Sequence, residues 1–140
     1  MKTGDALAAW RARHGRTDDG DRRVFWVSFG PLRLPVPHPG QLHWHDLHHL
    51  ALDYEPDLVG EIEVSAFELR TGAANVVVLL LCLTAVTLGA LLAPRRTHRA
   101  FRAARTARNL YRCPVPHAQV LEWSLEELRA WMGVTCVPAR

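Results

Sequence analysis

The chain has 140 residues, 49% of them hydrophobic and 22% charged, with a net charge of +3. That is one domain's length and an ordinary globular balance, which excludes wholesale disorder and a fibrous repeat. Three widely spaced cysteines, Cys82, Cys113 and Cys136, exclude a disulfide framework and a C-x-x-C zinc or redox motif, and read as free thiols.

In chain order, residues 1–13 carry a weak helical pattern through Leu7, Ala8 and Trp10. They lack the apolar run of about 7–15 residues that a secretory signal needs, so the chain is expected to begin in the cytoplasm. A polar stretch over 15–21 reads as a loop. The β-branched and aromatic run Val24 to Phe29, the Gly30-Pro31 turn and the alternation Leu32 to Val36 predict a small β-hairpin. Pro35 and Pro37 restrict its second strand to an edge.

Gln41 to Leu52 contains no proline or glycine and predicts a helix of about three turns. Asp53 to Asp57 breaks it, Asp57 caps a second helix from Leu58 to Arg70, and Thr71-Gly72 stops that one. The uncharged stretch Val76 to Ala93 is a third helix, at the short limit for crossing a bilayer core of about 30 Å. Pro94 ends it. An arginine-rich helix over 97–111 follows, then a short one from Leu125 to Met132 with Ser124 and Glu127 as a capping box and Gly133 as its stop. The expected fold class is mainly α: a helical bundle with a metal-binding helical hairpin, a long apolar helix and a small N-terminal β-hairpin. Residues 1–40 form an N-terminal piece and 41–140 the helical domain.

Charge is divided unevenly, with a net −3 over residues 1–75 and +6 over 94–140. Arg95, Arg96, Arg99, Arg102, Arg105, Arg108 and Arg112 recur about every three residues and would form one sweeping stripe on a continuous helix. Directly after an apolar segment, such a stripe is better placed for anionic lipid headgroups than for nucleic acid, and no nucleic-acid-binding motif accompanies it. A simple solvated face is the bland alternative.

His43, His45, His48 and His49 fall within seven residues, with Asp46 among them. On a helix His45 and His49 lie about 40° apart and Asp46 about 60° beyond His49, so three ligand-type groups share a face. His48 lies about 60° on the other side of His45, so angle alone does not choose between it and Asp46. Glu61, about one turn into the next helix, meets His49 at the same height if the two helices pack antiparallel. Two imidazoles and two carboxylates suit zinc, iron, manganese or cobalt. An incidental, solvated histidine-rich helix is the competing reading.

His45-Asp46-Leu47-His48-His49, eleven residues and Glu61 fit the spacing H-D-x-x-H-x11-E. This resembles the metal-ligand motif of the family of coenzyme Q biosynthesis protein four, and the likeness extends through Tyr54, Asp57 and Gly60. Asp53 stands where that family usually has glycine; aspartate tolerates the left-handed conformation, so the turn is expected to survive. The likeness covers about residues 41–140, including the tryptophan-containing segment before the last short helix.

The resemblance implies that His45, Asp46, His49 and Glu61 are the ligands of a divalent metal, usually zinc, and that His48 packs behind them. It implies a membrane-associated protein of ubiquinone biosynthesis that binds an isoprenoid lipid and acts in the oxidative decarboxylation of a polyprenylated benzoate. Other enzymes of that pathway are its implied partners. A non-catalytic lipid-binding scaffold for those enzymes is the alternative, and an unrelated single-span membrane protein a third. A true span at 76–93 would put the metal site and the arginine-rich half on opposite faces. The resemblance instead favours burial or shallow insertion, with both halves on the cytoplasmic face.

Overall fold

The computed structural model describes residues 1–16, 24–29, 31–37 and 41–134. Cys136 and residues 17–23, which include most of the expected loop, lie outside them. The described chain is mainly helical, an α bundle. Its elements are α1 (Thr3–Arg13), β1 (Val24–Phe29), β2 (Leu32–Pro37), α2 (Leu42–Leu52), α3 (Leu58–Thr71), α4 (Val76–Leu92), α5 (Pro94–Ala103), α6 (His117–Val120) and α7 (Leu125–Met132). β1 and β2 pair antiparallel, with Trp26 opposite Pro35.

Helix boundaries follow local chemistry. The Asp57 carboxylate accepts from the Gly60 amide at 2.7 Å and opens α3, and Asn75 accepts from the Val78 amide at 3.0 Å and opens α4. Ser124 and Glu127 cap α7 reciprocally. Asp53 closes α2 with φ 58° and ψ 39°, the left-handed conformation expected of it.

One apolar core gathers Ala6, Leu7 and Trp10 of α1, Trp44, Leu47, Leu50 and Ala51 of α2, Phe67 of α3, and Leu110, Val120, Leu128 and Met132 from the C-terminal half. α1 is therefore built into the same core as α2. Its start is also tied to the C-terminal half, since the Thr3 and Gly4 amides donate to the carbonyls of Trp123 and Leu121. On its other side α3 packs against α4 and α5. Gly89 permits that close approach: a Cβ there would lie 2.3 Å from Ile62 Cγ2 and 2.5 Å from Thr97 Oγ1.

Two expectations change. The apolar helix α4 has 17 residues, about 26 Å of rise, and no helix among the described residues is long and apolar enough to cross a membrane. A single span at 76–93 is not supported. The arginine-rich helix begins earlier and ends sooner than its composition suggests. Pro94 does not merely stop α4 but starts α5, where its missing amide donor costs nothing. α5 yields to a short 3₁₀ turn over Ala104–Thr106 because the chain beyond is pinned elsewhere. The Arg108 amide donates to the Met132 carbonyl at 2.8 Å, and Asn109 Nδ2 bonds Thr71 Oγ1 and the Gly72 carbonyl at 2.7 and 2.9 Å. The stripe is broken accordingly. Arg96 pairs with Glu63 at 2.6 Å, and Arg108 lies 5.8 Å over the Trp131 ring.

Gly60 shows how tightly the α2–α3 turn is folded, since a Cβ there would lie 1.7 Å from the Glu55 carbonyl oxygen. Backbone would have to move. Gly60→Ala is expected to destabilise the protein by about 1–3 kcal/mol, read as a lower melting temperature by circular dichroism.

Candidate metal centre

The site grows from α2, whose residues Trp44 and Asp46 to Ala51 are all buried. A buried imidazole must find protein partners for both ring nitrogens, because water reaches neither. His49, with none of its surface exposed, has its Nδ1 3.0 Å from the carbonyl of Tyr54. A carbonyl only accepts, so Nδ1 carries the proton and Nε2 is left with a lone pair. His48 is fixed in the same tautomer by different partners. The Leu110 amide donates to its Nε2 at 3.2 Å, so its Nδ1 holds the proton and donates to Glu68 Oε1 at 2.7 Å.

Glu68 is the residue that sequence reasoning missed. It is only 1% exposed, and Oε1 also takes His45 Nδ1 at 2.9 Å and the Tyr111 hydroxyl at 2.8 Å. Burial opposes its ionisation, and the facing His45 and His48 more than reverse that, holding its carboxyl well below the usual carboxylate range. Nearby, burial and then the Glu68 charge push the Cys82 thiol and the Tyr111 hydroxyl strongly upward, so neither ionises. Glu68 therefore acts as an anion that accepts, and His45 presents Nε2 in the opposite direction. The sequence did hold a signal, since Glu68 lies seven residues after Glu61, two turns along the same face of α3.

His45 Nε2, His49 Nε2 and one oxygen of Glu61 converge. The edges of that triangle are 3.1 Å from His45 Nε2 to Glu61 Oε2, 3.4 Å from His49 Nε2 to the same oxygen, and 3.3 Å between the nitrogens. Ligand atoms about 2.0–2.1 Å from a tetrahedral zinc ion stand roughly 3.3–3.4 Å apart, so the triangle approximates one face of such a tetrahedron. Electrostatics agree with the distances. Burial works against charge on His45, but Glu68 and Glu61 overcome it and raise the imidazole well above 6.5. Loss of solvent at the carboxyl end of Glu61 is likewise outweighed, by His49 and His45, so that it stays ionised well below 4.5. The Glu68 and Glu61 carboxylates thus favour a positive charge here, a proton on His45 that a bound metal would displace.

Of the four ligands expected, the structure brings together His45, His49 and Glu61 as a group that could hold a metal ion. Asp46 is directed elsewhere: its Oδ2 accepts from Arg11 Nε at 2.9 Å, and its Oδ1 lies 3.7 Å from Arg16 Nε. His48 sits behind the group on Glu68. His43 packs its ring against Trp44 and His117, with centroids 5.5 and 4.5 Å away. No family model, curated protein or solved structure matches this chain.

Glu68 ties three donors on two segments to one buried oxygen, so its removal strands all of them. Glu68→Ala is expected to cost about 3–5 kcal/mol, and Glu68→Gln, which keeps an acceptor, distinctly less. Urea denaturation followed by tryptophan fluorescence measures the difference.

Proposed function

We propose that this chain is a divalent-metal protein of ubiquinone or related prenylquinone biosynthesis, with zinc held by His45, His49 and Glu61. The observation that carries the metal is the triangle of donors with edges of 3.1 to 3.4 Å. The pathway assignment comes from the resemblance of the H-D-x-x-H-x11-E segment to the coenzyme Q family. Three protein donors would leave a tetrahedral ion one position for an outside ligand, the pattern of catalytic rather than purely structural sites. Bound there, the ion would supply Lewis-acid polarisation of a carboxylate or phenolic oxygen of a polyprenylated benzoate. The chain's own residues hold and aim the donors: Glu68 orients His45, the Tyr54 carbonyl orients His49, and Arg16 Nη1 donates to Glu61 Oε1 at 3.1 Å.

A lipid partner is supported by the surface of α4. Val76, Leu79, Leu80, Leu83, Leu91 and Leu92 are large apolar residues left exposed, and exposed Arg95 and Arg99 follow on α5. An apolar face bordered by guanidinium groups is complementary to a membrane surface with anionic headgroups, entered in part and not crossed. The same face would serve a non-catalytic scaffold, which differs only in lacking turnover.

Purified protein is expected to carry about one metal ion per chain by elemental analysis, and His45→Ala, His49→Ala and Glu61→Ala to lose it. Prenyl lipid detected by mass spectrometry should still co-purify with those variants, whose turnover of a prenylated hydroxybenzoate is lost. A scaffold would show the same metal content with no turnover in the wild type. In vesicle sedimentation, binding should rise with anionic lipid content and weaken with salt; equal binding to neutral vesicles would remove the headgroup contact.

A further inference from the structure

Resting on the metal reading above, we propose that Tyr111 is a positioning residue of the metal centre, which acts through Glu68 to hold His45. The far side of the His45 ring is set by Nδ1 donating to Glu68 Oε1 at 2.9 Å. That bond is only as steady as the carboxylate that accepts it. The last torsion of a glutamate is soft, and Oε2 has little to grip, with the Cys82 sulfur 3.7 Å away. The donors on Oε1 therefore decide how the carboxylate sits. His48 Nδ1 donates to it at 2.7 Å and the Tyr111 hydroxyl at 2.8 Å. Both histidines ride on α2, so Tyr111 is the one of these three donors that ties Glu68 to a different part of the chain.

Tyr111 is anchored to the very helix that carries Glu68. Its amide donates to Asn109 Oδ1 at 2.8 Å. Asn109 Nδ2 in turn donates to Thr71 Oγ1 and the Gly72 carbonyl at 2.7 and 2.9 Å, one turn beyond Glu68 at the end of α3. The Tyr111 ring packs edge-on against His48, with centroids 5.0 Å apart and planes at 81°. The ring thus fills space beside His48, while the hydroxyl directs the carboxylate. Without that hydroxyl, Glu68 keeps two donors on one helix and follows the shorter bond, toward His48 and away from His45. A loosened His45 holds a cation less tightly, so the segment carrying Tyr111 sets metal affinity without touching the metal.

The test is a double-mutant cycle on the full chain, with cobalt(II) titrated as the probe and its visible absorption recorded. Tyr111→Phe keeps the ring and its packing and removes only the hydroxyl. It is expected to weaken cobalt binding about 3–10-fold and to shift the visible bands, a smaller loss than the roughly 10–100-fold expected of Glu68→Gln, whose side chain touches the ligand itself. In the Glu68→Gln background Tyr111→Phe should add less than about twofold, because the tyrosine acts only through that carboxylate. The proposal is overturned if Tyr111→Phe lowers the melting temperature but leaves cobalt affinity and bands unchanged, if it tightens binding, or if the two losses multiply. Should Glu68→Gln fail to fold, the affinity and bands of Tyr111→Phe decide the matter alone. Wild-type protein that takes up no cobalt would overturn the metal reading and this proposal together, whereas normal uptake by both the wild type and Tyr111→Phe would overturn only the positioning.

Discussion

A histidine sealed inside a protein cannot leave either ring nitrogen without a partner, and that requirement organises the centre of this molecule. His48 and His49 are wholly buried on α2. Their nitrogens are met by a backbone amide, a backbone carbonyl, a glutamate and a facing imidazole. The amide, the carbonyl and the carboxylate are of fixed character, donor or acceptor, and so decide where the ring protons sit. The inward-facing lone pair of His49 at the metal site is the remainder of this accounting. Packing and chemistry are one problem here.

Glu68 is where the two meet. Its Oε1 joins α2 through two histidines and the C-terminal half through Tyr111, while Oε2 lies 3.7 Å from the Cys82 sulfur on α4. An ionised group in such surroundings survives only when its donors are all in place. The stability of the bundle and the orientation of His45 therefore rest on the same atom. The Leu110 amide bonded to His48 carries this linkage into the segment that supplies Leu110 itself, a fully buried residue of the core.

Much of this was legible in the sequence because it is local. Asp57, Ser124 with Glu127, and Gly133 mark helix ends by chemistry acting over three or four residues, and the His45–His49 pair shares a face by helical period alone. Other features depend on chain partners far away. Arg11 and Arg16 reach Asp46 and Glu61 across 35 and 45 residues, and no spacing rule shows an arginine beyond the next helix taking one carboxylate and holding another. Composition favoured one long basic helix over 97–111, but the tertiary bonds of Arg108 and Asn109 outweigh alanine's helical preference and break it. Glu68 was visible only as a period, two turns beyond Glu61.

The two imidazoles of the cluster are held by supports of different kinds. His45 leans on the side chain of Glu68, whereas His49 leans on the main-chain oxygen of Tyr54. Every amino acid carries that oxygen, so the identity of residue 54 is free to drift through evolution or engineering as long as the loop keeps its path. Position 68 has no such latitude. One half of the site is written in side-chain chemistry and the other in the course of the backbone, and the second half is the one that substitution at a single codon can hardly erase.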